Sequence, residues 1–519
     1  MRGVIAAGSD ITAAAGAEIL ERGGNAVDAA VAACLACAAG EPTLTSLAGG
    51  GVLLHRDGES GKVTTCEFFS NAPGLGGTPP PKESRDFFPV DVDFGPAVQT
   101  FHVGAASAAV PGAIPGLFSA LDRWGTLPLS EVIKPACAWL REGMVLGSWH
   151  AQAAKLLTSI LLHTEKGRAQ FGVNGGLMGE GHRYRCPGLA DTLEQMAEDG
   201  WREVYEGPMR EAMLAVSGYD VGGLLSAADF EAYEVIFREP LVFDYRSRRV
   251  YTNPPPGAGG ELIALMLQLL QTQDLEGVAF GSDAHVRLLA QAMRVAEESR
   301  LVPEGVDISP EAIKRWQERY AQAQAEPLSG PTPPGGSNST THVTVMDAAG
   351  NAATVTYSYG EGNGYLIGDT GIMMNNLMGE EDLFPNGFHS WPAGRRLRTM
   401  MSPTIMECRD GGVVAMGSGG ANRIRTAIVQ VISNLVDHQM RVEPATQAPR
   451  IHFEDDILNV ETFQRDDEGR SLEVLRAPKM LSFPEPNLFF GGVHLVRRAH
   501  DGTLTGAGDP RRNGICRVV

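Results

Sequence analysis

Two kinds of hydrophobic periodicity divide this chain near residue 340. Before that point most segments repeat with helical spacing, as in the alanine-rich residues 10–39, where Asp10 is a plausible N-cap and Gly23-Gly24 separates two helices. After it, HVTVM and AATVTYS alternate on either side of the turn DAAGN, which is typical of an antiparallel hairpin. The pattern therefore predicts a protein that combines helices with antiparallel strands.

The same patterns predict further elements. Residues 52–69, VLLHRDGESGKVTTCEFF, indicate a hairpin around a glycine-containing turn, and residues 79–81 and 87–98 indicate irregular surface chain. A strand-like segment at 241–251 and an apolar helix at 261–270 flank the turn YTNPPPGAGG. Helices that end near glycines or loops are predicted at residues 117–125, 129–143, 189–200 and 209–216.

The clearest linker is formed by residues 322–339, where proline, glycine and serine leave no periodic apolar face. The strand that follows begins at Thr340. If Asp347 to Asn351 form the loop of its hairpin, Met346 pairs with Ala352 and Thr340 lies opposite Ser358. Directly opposed residues have Cβ atoms about 5 Å apart on one face, so this register brings two hydroxyl groups together.

Several motifs resemble those of the γ-glutamyltranspeptidase family over nearly the whole chain. They are GGNAVDAAVA, AVPGAIPG, YTNPPPGAGG, the terminal GAGDPRR and, most specifically, TTHVTVMDAAGNAATVTYS beginning at Thr340. The resemblance implies an α+β fold of four layers, αββα, in the N-terminal-nucleophile hydrolase superfamily. It also implies that a precursor cuts itself between Ser339 and Thr340 into a large subunit, residues 1–339, and a small subunit, residues 340–519. The two subunits are expected to stay associated, because neither buries the sheets alone.

Thr340 suits the chemistry that this resemblance implies. A threonine hydroxyl is a weak nucleophile that needs a base, and cleavage before Thr340 would place a new α-amino group on the same residue. The pKa of such an amine is roughly 8, close to working pH, so one residue would supply both nucleophile and base. The alternative is that Thr340 merely begins a strand, which β-branched residues favour.

Two other catalytic groups follow from the resemblance. Ser358 stands where the family has a threonine that hydrogen-bonds the nucleophile, and it keeps the hydroxyl; otherwise it is an ordinary strand residue. The segment AMGSGGANRI resembles the glycine pair whose backbone N–H groups bind the oxyanion, and it places these donors on Gly420 and Ala421. Alanine replaces the second glycine, which backbone chemistry tolerates where the local φ suits alanine.

The substrate-binding positions depart from the family pattern. Phe69, in EFFSNAPG, stands where the family has an arginine that clamps the substrate α-carboxylate, and Thr399 and Met400 stand where it has two serines. Losing such a charge-assisted contact costs roughly 2 to 5 kcal/mol if nothing replaces it. Another arginine could replace this clamp on the substrate α-carboxylate. The candidates are Arg395, Arg396, Arg398, Arg423 and Arg425.

The residues that would bind a substrate amine match the family pattern more closely than those that would bind its carboxylate. Glu380 and Glu381, in MMNNLMGEEDLF, are candidates to pair with a substrate ammonium, although acidic loops are usually just solvated. Gly360 replaces a polar substrate contact of the family.

Composition and charge limit the remaining functions. A formal charge of −19 without a basic block argues against nucleic-acid partners. Acidic residues interrupt every apolar stretch near the start, so no signal peptide or membrane span is predicted. Seven scattered cysteines fit a reducing compartment, and we therefore expect a cytoplasmic protein. Cys34 and Cys37 are assigned to helix packing, and no metal or nucleotide motif is recognised, so no cofactor is expected.

The sequence therefore predicts an enzyme that processes itself and then cleaves small-molecule amides through an ester on Thr340. By the resemblance, γ-glutamyl compounds such as glutathione are the first substrate class. Phe69, Met400 and Gly360 favour an alternative, an acylase-like amidohydrolase for a different acyl group. A binding protein that keeps the family shape without catalysis is the non-enzyme alternative.

Overall fold

The computed structural model describes residues 1–93, 98–300, 306–328, 340–384, 387–454, 456–462 and 479–519. In chain order its strands are β1 (Gly3–Ala7), β2 (Gly50–Arg56), β3 (Val63–Phe68), β4 (Phe88–Asp93), β5 (Val98–Val103), β6 (Met144–Val145), β7 (Gly172–Val173), β8 (Gly176–Leu177), β9 (Arg183–Tyr184), β10 (Ile236–Arg238), β11 (Leu241–Tyr245), β12 (Arg248–Thr252), β13 (Thr340–Asp347), β14 (Ala352–Ser358), β15 (Thr404–Glu407), β16 (Val413–Gly419), β17 (Ile451–Glu454), β18 (Ile457–Glu461), β19 (Lys479–Phe483), β20 (Gly492–Arg498), β21 (Leu504–Ala507) and β22 (Ile515–Val518).

The α-helices carry most of the segments that the sequence predicts as helical. They are α1 (Asp10–Glu21), α2 (Ala26–Gly40), α3 (Ala113–Trp124), α4 (Leu129–Val132), α5 (Lys134–Glu142), α6 (Ser148–Leu156), α7 (Thr158–Leu161), α8 (Glu165–Phe171), α9 (Pro187–Asp199), α10 (Trp201–Val204), α11 (Arg210–Ser217), α12 (Ala227–Glu231), α13 (Ala258–Leu270), α14 (Asp283–Arg300), α15 (Pro310–Ala323), α16 (Arg423–Val436) and α17 (Val442–Gln447).

Two antiparallel sheets form the centre of the molecule. The first has seven strands in the order β10-β3-β2-β14-β13-β1-β22, and the second has six in the order β11-β12-β15-β16-β20-β21. Strands β13 and β14 pack on β16, and α1 and α2 cover the outer face of the first sheet while α13 and α16 pack on the second. These are the four layers of the predicted αββα fold.

Alternation along the inner strands builds two cores. In β2, Leu53 joins the core under α1 and α2, while Val52 and Leu54 join the core between the sheets. The seven-stranded sheet places β13 and β14 between β2 and β1, so residues on both sides of Thr340 build one sheet. Cutting the chain before Thr340 would therefore leave two pieces that share a core.

Three details correct the sequence-based predictions. The N-cap of α1 is Ser9, whose side chain accepts from the Thr12 N–H, and Asp10 is the first helical residue. Residues 88–93 form strand β4, paired with β5, rather than irregular chain, because Pro89 is tolerated in a two-stranded ribbon where few N–H groups need partners. Helix α15 runs to Ala323, so it includes the start of the predicted linker; residues 329–339, with Ser339, lie outside the described residues.

Candidate active site

The predicted register of the second hairpin is confirmed. Thr340 is the first residue of β13 and pairs with Ser358, the last residue of β14, while Met346 pairs with Ala352. Thr340 and Ser358 are each only 2% exposed. The two hydroxyl-bearing residues therefore lie side by side at the buried end of an inner hairpin, as the sequence predicts.

The side chain of Thr340 faces the second sheet. His342, two residues along the same strand, lies so close to Gly417 of β16 that a Cβ at residue 417 would overlap its ring. A Cβ at Gly419 would likewise overlap the carbonyl oxygen of Thr340. Because alternate residues of a strand share a face, Thr340 is held against the end of β16.

The oxyanion candidates lie directly after that strand end. Gly420 has φ +118° and Ala421 has φ +49°, and α16 begins two residues later. Within the described part of the chain, no acceptor is found for the backbone N–H of Gly420 or of Ala421. Two unpaired N–H groups at a helix N-terminus form a site that favours negative charge.

Arg512 is a site residue that the sequence analysis missed. Its Nη1 donates to the carbonyl oxygen of Thr340 over 3.0 Å, and the side chain is 6% exposed. Burial lowers the pKa of Arg512 to about 10, so the guanidinium stays charged at neutral pH. Its only signal in the sequence is its place in the motif GAGDPRR, which does not show the contact with a strand 172 residues away.

Glu41 is a second residue that the sequence analysis did not assign to the site. The hydroxyl of Thr341 donates to Glu41 Oε2 over 2.7 Å, and that of Thr12 donates to Oε1 over 3.1 Å. Burial raises the pKa of Glu41. The contact fixes β13 from the helix side, on the face opposite the Thr340 hydroxyl.

The two acidic candidates are separated by the fold. Glu380 is 3% exposed and lies against Gly360, because a Cβ at residue 360 would overlap both Glu380 Oε1 and Asn376 Oδ1. The N–H of Gly360 donates to Ser358 Oγ over 3.0 Å, which ties this loop to the hairpin. Glu381 is exposed, so only Glu380 joins the site.

Comparison with known proteins identifies the family of this chain. The γ-glutamyltranspeptidase family model matches residues 12–519. The chain belongs to the γ-glutamyltranspeptidase family. Membership makes it an enzyme with the N-terminal-nucleophile hydrolase fold.

Similar proteins fall in more than one group of this family. The glutathione hydrolase proenzyme of Escherichia coli is 33% identical over 98% of this chain and 90% of the relative. The acylase ACY 1 proenzyme of Pseudomonas sp. strain V22 is 32% identical over 99% of this chain and 93% of the relative. The crystal structure of cephalosporin acylase from Bacillus halodurans superposes with a TM-score of 0.79 at 23% identity, covering 99% of this chain and 95% of that chain, which shows the shared fold.

Within this γ-glutamyltranspeptidase-family fold, Phe69 lies at the end of β3 in the first sheet. It follows β3 directly, is 1% exposed and belongs to the core between the sheets. Strand β2 lies between β3 and β14, and its Gly50 pairs with Ser358. Phe69 therefore sits on the same side of the sheet as Thr340, roughly 14 Å away at three strand spacings.

Thr399 and Met400 lie in the segment that precedes β15. Thr399 is 4% exposed, and its hydroxyl accepts from the Met401 N–H over 3.1 Å. The sulfur of Met400 lies 3.8 Å from Arg425 Nη1, and the same nitrogen donates to Asn422 Oδ1 over 3.3 Å. Since Asn422 follows Ala421, these two contacts connect Met400, through Arg425, to the residue after the oxyanion candidates.

The arginines proposed as substitute carboxylate partners are mostly engaged elsewhere. Arg425 is buried and paired with Glu297, and Arg396 donates to the carbonyl oxygens of Phe69 and Glu234. Arg423 donates to the carbonyl of Phe489 over 3.1 Å. Arg395 and Arg398 are exposed beside Trp391.

Cys34 and Cys37 are fully buried in α2, as the packing assignment predicts. Across the described ranges, no group of three or more metal-binding side chains is found. In the same residues, no helix is both long and apolar enough to cross a membrane.

Proposed function

We propose that this enzyme cuts its own chain before Thr340 and then transfers acyl groups from amides through an ester on Thr340 Oγ1. The observation that supports this most is the position of Thr340 at the start of an inner strand, opposite Ser358 and against the end of β16. This arrangement sets the paired residues Thr340 and Ser358 against the end of β16, directly before the unpaired N–H groups of Gly420 and Ala421. These are the parts that acyl transfer requires.

The self-cleavage step uses the same parts. Thr340 Oγ1 attacks the carbonyl carbon of Ser339, the C–N bond breaks, and the nitrogen takes the hydroxyl proton and becomes the α-amine of Thr340. Water then hydrolyses the resulting ester and releases the carboxylate of residue 339. The large subunit, residues 1–339, and the small subunit, residues 340–519, stay together because β13 and β14 lie between strands of the large subunit.

In turnover, the free α-amine of Thr340 takes the hydroxyl proton as the oxygen attacks the substrate carbonyl. Ser358 orients the nucleophile, and the N–H groups of Gly420 and Ala421 receive the oxyanion. The amine then protonates the leaving group, and water or an acceptor amine resolves the ester.

For the substrate, we propose γ-glutamyl compounds such as glutathione as the first class. The similarity to the Escherichia coli glutathione hydrolase proenzyme supports it. The buried Glu380, held next to Gly360 and the Ser358 loop, supplies a carboxylate for a substrate ammonium.

A second candidate is an acyl group without an α-carboxylate. Phe69 offers an apolar ring at the clamp position, and Met400 offers a thioether in place of a hydroxyl. Arg425, whose Nη1 lies 3.8 Å from the Met400 sulfur, already pairs with Glu297. A substrate carboxylate buried without partners is strongly disfavoured, so these residues favour a less polar acyl group.

Two experiments test these proposals. Denaturing electrophoresis with N-terminal sequencing should show two fragments, the smaller beginning at Thr340, and Thr340→Ala should remain one inactive chain. Thr344→Ala, which alters a buried threonine on the same face of β13, should still be cleaved. An intact parent chain after prolonged incubation would refute self-processing before Thr340.

The substrate classes are separated by kcat/KM for γ-glutamyl p-nitroanilide against its analogue without the α-carboxylate. An apolar pocket predicts a poor γ-glutamyl substrate, and Phe69→Arg should shift the preference towards it, whereas Phe69→Leu should not. A parent preference for the γ-glutamyl compound of a hundredfold, about 3 kcal/mol, would show that a substitute clamp exists.

A further inference from the structure

Arg512 touches both halves of the proposed catalytic site. It donates to the carbonyl oxygen of Thr340 over 3.0 Å. A Cβ at Gly420 would lie 3.5 Å from Arg512 Nη2, and one at Gly492 would lie 2.8 Å from Arg512 Cδ. The guanidinium is thus packed beneath the oxyanion glycine and beside the nucleophile.

The surroundings of Arg512 decide how much of its positive charge acts on the site. Among the described residues, no carboxylate forms an ion pair with Arg512, and its buried Nε has no hydrogen-bond partner there. The ionisable groups around it come from several elements and are Arg423 at the start of α16, Asp509 before the terminal strand, Glu41 after α2, Glu361 after β14 and His494 on β20.

Most of these neighbours do not neutralise the positive charge of Arg512. Asp509 is already paired, with Arg450 Nη2 at 2.6 Å and Arg511 Nη1 at 3.2 Å. Burial lowers the pKa of His494 to about 4, so its ring is neutral at pH 7. Glu41 already accepts hydrogen bonds from the hydroxyls of Thr341 and Thr12, and Arg423 adds a second positive charge near Arg512. Glu361 is the remaining opposing group.

We propose that Arg512 is a positioning residue that keeps the α-amino group of Thr340 neutral and so sets the acidic limit of the enzyme's activity. This inference rests on the proposed function, because the amine exists only after cleavage before Thr340. The amine serves as base only in its neutral form, and a like charge close by disfavours the ammonium.

The distance supports an effect of measurable size. The backbone nitrogen and carbonyl oxygen of one residue lie within about 4 Å, so the guanidinium is about 7 Å or less from the amine nitrogen. At an effective dielectric constant of roughly 20, a unit charge at that distance shifts a pKa by about one to two units. The amine would then titrate near pH 6 to 7 instead of roughly 8.

The test compares the pH dependence of kcat/KM in the processed parent, Arg512→Gln and Arg512→Lys on one amide substrate. Gln keeps a donor for the Thr340 carbonyl but loses the charge, so the acid limb should move up by about one unit or more. Lys keeps the charge, so its acid limb should stay near that of the parent even if kcat falls. Arg246→Met, which removes a part-buried arginine paired with Asp437, controls for general destabilisation and should not move the limb.

An acid limb that stays in place in Arg512→Gln, with activity reduced equally at every pH, would show a purely structural role and overturn the inference. If that variant does not fold, pH-dependent labelling of the Thr340 amine in the parent decides. A native amine that titrates at or above its value in the denatured small subunit overturns the inference. Absence of a Thr340 N-terminus refutes the proposed function instead, so the two failures are distinguishable.

Discussion

Replacing Ala421 by glycine should stabilise the protein. Ala421 has φ +49°, the left-handed region, where a residue with a Cβ pays about 1 to 2 kcal/mol. Glycine removes that strain but makes the unfolded chain more flexible, which costs about 0.4 to 1 kcal/mol. The balance is a gain of about 0.5 to 1 kcal/mol in the free energy of unfolding.

The measurement is chemical denaturation of Ala421→Gly in the Thr340→Ala background, so that a single uncleaved chain unfolds. Ala427→Gly is the matched control, because Ala427 is a buried residue within α16 and the same change there should destabilise by about 1 kcal/mol or more. If Ala421→Gly loses as much stability as Ala427→Gly, the conformation assigned to the oxyanion loop is wrong. In the cleaved enzyme, Ala421→Gly should keep turnover, because the proposed oxyanion donor is a backbone N–H.

Two further predictions concern the hairpin that carries the nucleophile. Ser358→Ala removes the acceptor of the Gly360 N–H and the hydroxyl opposite Thr340, so fragment formation and turnover should slow by tenfold or more. Ser358→Thr retains a hydroxyl and should keep both rates. Unchanged rates in Ser358→Ala would show that the pairing of Ser358 with Thr340 does not matter for the reaction. Stability should fall as pH drops from about 6.5 towards 5, because burial lowers the pKa of His494 to about 4 and that of His342 well below its usual range, and unfolding lets each ring take up a proton. The expected loss is up to about 2 kcal/mol per histidine at pH 5, and a free energy of unfolding that stays constant from pH 7 to 5 would contradict it.

The sequence predicted the parts of the site that depend on local pattern. The loop DAAGN and the alternation around it determine the pairing of Thr340 with Ser358, because strand pairs across one turn follow from its length. By contrast, Pro89 and two aspartates obscured the alternation of Phe88, Val90 and Val92 in β4.

The hydrophobic pattern of the sequence could not predict contacts between segments that lie far apart along the chain. Arg512 reaches Thr340 because β16, β20 and the segment after β21 converge, and Glu41 reaches Thr341 because α2 packs under β13. Nor did the sequence show that the fold buries Glu380 and exposes Glu381. The cleavage position, the subunit boundary and the cytoplasmic location stay predictions.

The central claim, that Thr340 carries the acyl group, is tested most directly by quenching the enzyme in acid during turnover of a chromogenic amide and analysing its peptides by mass spectrometry. The account predicts that the small-subunit N-terminal peptide, beginning at Thr340, gains the mass of the acyl group, and that the added mass is lost with hydroxylamine, as expected of an ester. An active, cleaved enzyme whose acyl mass appears on another residue would contradict it.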